Sequence, residues 1–386
     1  MPKFLAPVAL VIAASALLNA GAPAGGLTET ARLGAVYDTI LRGQLSRVDA
    51  QIRETCPPAP REACLDLQAS ALWWRILVDP HNRAHDEELQ QLSTRALDAA
   101  TAWTKRAPDN PEAWFYLAGA YGPLSQLRVW RGQRLTAARD GVRIKAALER
   151  SIALDPALKD AYFGIGLYHY VADIIPAPLK TLRFLLLMPG GDRVAGLKEM
   201  LTAREQGVLL AGEADYQLHY IYLWYEHQPT RALELVRNLD TKYPTNPIFL
   251  QRIADIQRDY LHDRAASRVS WQQLLDRAVA GRVEFAPLTI ARARLELADD
   301  LIALGEFARA AETVQPIVDA RPTAPYGAEA RANLLLGRAL AAQHTRDRAL
   351  AAFDRAIASA PSDDPDAVRS RAREERARLA STNLAR

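Results

Sequence analysis

Few side chains in this sequence have the type and spacing that chemistry needs. His81 and His85 stand four apart with Asp79 and Asp86 beside them, which sets two imidazoles on one helix face as a metal pair would be. No glutamate follows the first histidine and no third ligand is apparent, so solvated polar residues ahead of a helix account for them. Gly190-Gly191 lacks the Gly-x4-Gly-Lys-Ser/Thr run that cradles phosphate. No G-x-S-x-G elbow, paired-carboxylate signature or cysteine-nucleophile motif occurs. His169 and His219 sit among Tyr168, Tyr170, Tyr216 and Tyr220 and read as core histidines. The expectation is of no enzyme, no metal and no cofactor.

The remaining reactive pair is Cys56 and Cys64, with three prolines between them. The prolines keep a helix from separating the two Cα atoms, and so short a turn satisfies disulfide geometry. In an exported chain two nearby thiols join, contributing about 2–3 kcal/mol in the loop-entropy account; two buried free thiols are the alternative. Export is what the start suggests. Residues 1–24 read as a signal peptide: Lys3, an apolar stretch from Phe4 to Leu18, then small residues ending in Ala22-Pro23-Ala24. A periplasmic or secreted address follows, an uncleaved membrane anchor being the alternative.

The 386 residues are 49% hydrophobic and 24% charged, enough apolar content for a real core and too much for disorder. Lys and Arg number 48 against 45 Asp and Glu, a net charge of +3. No basic field argues for nucleic acid as a partner.

What must position any binding residue is a set of helices. Beyond residue 25 apolar residues recur at i, i+3, i+4 and i+7 in stretches broken by Pro, Gly or Asp. One half-repeat returns five times with spacings of 4, 3 and 5: Ala96, Ala100, Trp103 and Pro108; Ile144, Leu148, Ser151 and Pro156; Ala232, Val236, Leu239 and Pro244; Ala310, Val314, Ile317 and Pro322; Ala349, Phe353, Ala356 and Pro361. The first three of each set share one helix face on which a neighbouring helix can sit closely, and the proline ends the helix. Partner helices precede, as in Trp114, Leu117, Ala118 and Tyr121, or Leu336, Gly337 and Leu340.

With these residues the chain resembles the tetratricopeptide-repeat family, whose unit carries a W-x2-L-G-x2-Y…A-x3-F…P pattern. The resemblance implies an all-α fold, a right-handed α-solenoid of helix-turn-helix repeats over residues 90–361. Residues 25–89 are expected as divergent hairpins around Tyr37, Gly43 and Ile52, and 362–386 as a polar capping helix and tail. Residues 171–201 are a central apolar insertion, broken by Pro176, Pro178 and Pro189 and therefore no simple membrane span. Asp192 is its expected N-cap. A packed hairpin, a wall for an apolar ligand and a peripheral membrane contact through 174–188 are its three readings. Gly164, Gly166, Ile175, Pro176, Gly191, Asp192, Arg193, Gly196 and Leu197 also resemble a segment of a eukaryotic helical-repeat family named for inclusion-body clearance and linked to lipid droplets.

The solenoid resemblance places Phe115, Phe163, Leu167, Tyr170, Gln217, Ile221, Trp224 and Tyr225 in the middle of a concave groove. Gln251, Asp255, Arg258, Arg292, Asp299, Arg331 and Arg338 follow towards its carboxyl-terminal end. Aromatic and Arg side chains dominate binding hot spots. The expected function is thus a non-catalytic exported scaffold that holds a peptide or protein partner in its groove. The alternative is a binder or sensor of an apolar small molecule or lipid, using the aromatic groove and the 171–201 insertion.

Overall fold

The computed structural model describes residues 26–174 and 190–381; the expected signal and most of the apolar insertion, residues 175–189, lie outside them. Among the described residues there are 17 helices and no strand. In chain order they are α1 (Thr30–Leu41), α2 (Leu45–Thr55), α3 (Arg61–Val78), α4 (Asp86–Arg106), α5 (Pro111–Trp130), α6 (Arg134–Leu154), α7 (Ala161–Ile174) and α8 (Arg193–Gln206). There follow α9 (Ala211–Trp224), α10 (Pro229–Lys242), α11 (Pro247–Asp259), α12 (Arg264–Val279), α13 (Ala286–Ala303), α14 (Phe307–Ala320), α15 (Ala328–Ala342), α16 (Arg346–Ser359) and α17 (Val368–Ser381).

Each helix packs chiefly on its sequence neighbours, which is the contact pattern of an α-solenoid. The recurring small residues are why. Ala96, Ala100, Ala232, Val236, Ala310, Val314, Ala349 and Ala356 have no exposed surface, each at a helix–helix seam. The proline of every set falls in the loop that leads to the next inner helix. Ser151, where the pattern expects an apolar residue, is buried and donates to the Pro111 carbonyl at 2.9 Å, so its hydroxyl is satisfied. Gly305 turns α13 into α14 at φ 79°, a backbone setting that glycine adopts without strain.

The edges of the insertion are ordinary repeat structure. Asp192 caps α8 by accepting from the Val194 and Ala195 amides at 2.9 Å, as its sequence position predicts. Gly166 of α7 and Gly196 of α8 face each other so closely that a Cβ on Gly166 would stand 2.6 Å from the Gly196 carbonyl oxygen. Those glycines permit a backbone-to-backbone helix crossing. After Pro361, α17 buries Val368 and Ala372 and turns its Arg- and Glu-rich side outward, the polar cap that an array end needs.

At the other end, α1 and α2 pair around the turn at Gly43, α3 pairs with α4, and Cys56–Cys64 is a disulfide with Cα atoms 6.5 Å apart. The array curves so tightly that the inner sides of α1 and α3 meet those of α9, α11 and α13.

Candidate functional site

The inner face is a consequence of this curvature. The α3 helix is apolar nearly all round, burying Leu67, Leu72, Trp73, Trp74, Ile76, Leu77 and Val78, as a helix surrounded by protein does. The Trp74 ring lies 4.8 Å from that of Tyr216 on α9 and 5.8 Å from that of Phe249 on α11. All three side chains are at most 2% exposed.

Polar bonds close the same seam. Tyr37 donates to Glu213 at 2.9 Å, Tyr243 to Asp38 at 2.7 Å, and the Asn246 amide to the Leu41 carbonyl at 2.9 Å. Thr245 donates to the Arg42 carbonyl at 2.7 Å. The last two satisfy carbonyls at the end of α1 that the helix itself cannot. Burial raises the carboxyl pKa of Glu213, with the bonds from Gln217 and Tyr37 opposing it.

This geometry corrects the expected groove. Its middle is not open: Phe115, Tyr170 and Ile221 are buried. Phe163 and Leu167 are half-buried against the core. Phe115 packs edge-on to Tyr116 at 5.1 Å. Tyr170 donates to Glu226 at 2.6 Å, and Gln217 bonds Gln126 at 3.0 Å and Glu213 at 2.8 Å. Trp224 and Tyr225 lie instead at the end of α9, 48% and 41% exposed, on the rim of the array. The physical reason is that the chain's own first helices, α1 and α3, reach the apolar inner face and bury it.

The charged end behaves differently. Arg258 of α11, Glu296 of α13 and Arg331 of α15 form one line, with Glu296 accepting from Arg258 at 2.7 Å and Arg331 at 2.8 Å. Burial alone would raise the Glu296 pKa, but Arg331 and Arg258 hold it down to about 2. Arg258 also pairs with Asp255 at 3.4 Å. Arg338 makes a two-toothed contact with Glu375 of α17 at 2.6 and 2.9 Å and reaches Asp299 at 3.9 Å. Arg292 bonds Asp79 at 3.2 Å and Gln251 at 3.4 Å. So Arg258, Arg331 and Arg338 are brought together in a belt of alternating charge, while Arg292 belongs to the closed seam.

Trp74, Glu213, Tyr243 and Asn246 carried no sequence signal of their own, and Asp79, noted only as a neighbour of His81, serves the seam instead. The all-round apolar run Ala71-Leu72-Trp73-Trp74-Arg75-Ile76-Leu77-Val78 was the available signal for α3. Of the histidines, His169 pairs with Glu199 at 2.8 Å. His219 is fully buried with Nδ1 against the Tyr216 carbonyl. Among the described residues no cluster of three or more His, Cys, Asp or Glu side chains is placed to hold a metal ion.

Residues 295–364, from within α13 past the end of α16, match the tetratricopeptide-repeat family model. Among solved structures the chain is similar to the crystal structure of the P58(IPK) TPR domain, at 13% identity, covering 80% of this chain and 99% of that one. The TM-score is 0.22, a likeness too loose to compare surfaces. No curated protein matches the sequence. The likeness to the inclusion-body-clearance family rests on the residues quoted for it alone.

Proposed function

We propose that the chain is an exported, non-catalytic scaffold that holds a segment of a protein partner along the inner face of α13, α15 and α17. The observation that carries this reading is the belt of Arg331, Arg338, Asp299 and Glu375. It continues the inner face beyond the part closed by α1 and α3, with side chains 18–31% exposed. A polar segment entering there exchanges these ion pairs for its own, which gives specificity and registration more than raw affinity. The apolar start of the sequence and the Cys56–Cys64 disulfide support export.

An apolar small molecule finds less support. The recess beside Leu223, Trp224, His227, Pro229 and Tyr260, about 400 Å³, is a shallow one on the rim rather than an enclosed apolar cavity.

Capture of partners from an envelope fraction with the wild type and with Arg338→Glu tests the proposal. The charge reversal sets one new acid against Glu375 and Asp299, so helicity is checked by circular dichroism. Loss of a captured protein at unchanged helicity is expected; an identical partner set contradicts the reading.

A further inference from the structure

Large apolar side chains are exposed on one rim of the array and nearly missing from the other. Trp130 and Leu135 flank the turn from α5 to α6, Trp224 and Tyr225 the turn from α9 to α10, and Tyr260 and Leu261 the turn from α11 to α12. All are inner-to-outer turns, which the alternation of inner and outer helices sets on one edge, and contacts join the last two of them. The Trp224 indole donates to the Tyr260 hydroxyl at 2.8 Å. The Tyr225 ring stands 6.0 Å from that of Tyr170 near the end of α7. Arg193, opening α8, holds Glu226 at 2.7 Å. On the opposite rim, built of turns such as Asp155-Pro156 and Tyr243-Pro244, the exposed large apolar residues are Val208 and Val279.

No helix of the described residues is long and apolar enough to cross a membrane.

We infer that this edge is a membrane-surface contact, where the Trp130, Trp224, Tyr225 and Tyr260 rings enter the headgroup region of a bilayer. Indole and phenol rings are the side chains that favour that interface, with an apolar body and a polar tip. Trp224, Tyr225 and Tyr260 are 48%, 41% and 38% exposed, and large apolar side chains gathered in this way on a free surface mark an interaction site. Arg131 at the rim is paired to Asp86 at 2.7 Å and Arg193 to Glu226, while Arg134 stands exposed beside Leu135, so anionic lipid adds to a contact that the rings drive. The inner-face belt stays free for a partner, so this inference does not rest on the proposed function.

Flotation of the full chain with phosphatidylcholine vesicles, with and without phosphatidylglycerol, tests it against the triple variant Trp130→Ser, Trp224→Ser, Leu261→Ser. Binding to both vesicle types is expected, falling at least tenfold in the variant. Residues 1–25 contain no tryptophan, so quenching of wild-type fluorescence by brominated lipid reports the folded part even if the variant misfolds. Vesicle binding undiminished in a folded variant, binding only when phosphatidylglycerol is present, or unquenched tryptophans would each overturn the inference. So would loss of a protein partner by the variant with vesicles left unbound, which would assign the rim to that protein.

Discussion

The Arg292 guanidinium donates to the Asp79 carboxylate at 3.2 Å across 213 positions of sequence. Asp79 accepts in addition from the Tyr326 amide at 3.0 Å. One carboxylate at the end of α3 therefore ties the first repeats to α13 and to the turn before α15. Burial already lowers the Arg292 pKa, with Asp79 the main group opposing it, so the cation depends on its partner. Asp79→Ala leaves that cation unpaired and is expected to destabilise by about 2–3 kcal/mol. Urea unfolding monitored by tryptophan fluorescence measures it; an unchanged midpoint would mean the bond is incidental.

The Cys56–Cys64 bond closes the short linker between α2 and α3. Because it restricts the unfolded chain, its reduction is expected to lower stability by about 2–3 kcal/mol. Melting temperatures with and without reductant decide it, and equal values refute it.

His219 gives the molecule a defined response to acid. Burial, and secondarily Arg252, lower its pKa from 6.5 to about 3, the bond to the Tyr216 carbonyl opposing them. The folded value lies below the unfolded one, so the stability carried by the neutral ring is complete above about pH 6.5. It drains at up to about 1.4 kcal/mol per unit as pH falls towards the folded value. His219→Phe keeps a ring against Tyr220 and is expected to flatten that part of the stability–pH curve. Curves that stay parallel for the two proteins would exclude His219 as the source.

Glycines separate contact from propensity. A Cβ at Gly166 meets backbone atoms of α8 at 2.6 and 2.8 Å, whereas Gly34 in α1 has nothing within 4 Å. Gly166→Ala is expected to cost about 1–3 kcal/mol and Gly34→Ala to stabilise by about 0.5–1 kcal/mol. Paired thermal melts check both signs, and a Gly166→Ala protein as stable as wild type would deny the close crossing.

The helices and their pairing were legible in the sequence because they are local. The spacing of Ala310, Val314 and Ile317, or of Ala349, Phe353 and Ala356, encodes one seam each, and Asp192 and Gly305 mark their own boundaries. The closed inner face was not, because it depends on curvature summed over many repeats. Tyr216 and Phe249 are aromatic whether a partner or the chain's own Trp74 covers them. The Arg258–Glu296–Arg331 line was half visible, through its arginines, while nothing local separates Glu296 from Asp299 and Asp300, the other acids of α13.

A closed inner face requires Trp74 to be enclosed by α9 and α11. Amide hydrogen exchange measured along the intact chain tests this directly. Residues 61–78 are expected to exchange as slowly as residues 211–224 and 247–259, and to lose protection together with them. Exchange of 61–78 that is orders of magnitude faster, as for a helix lying loosely at one end of an array, would contradict the closed inner face.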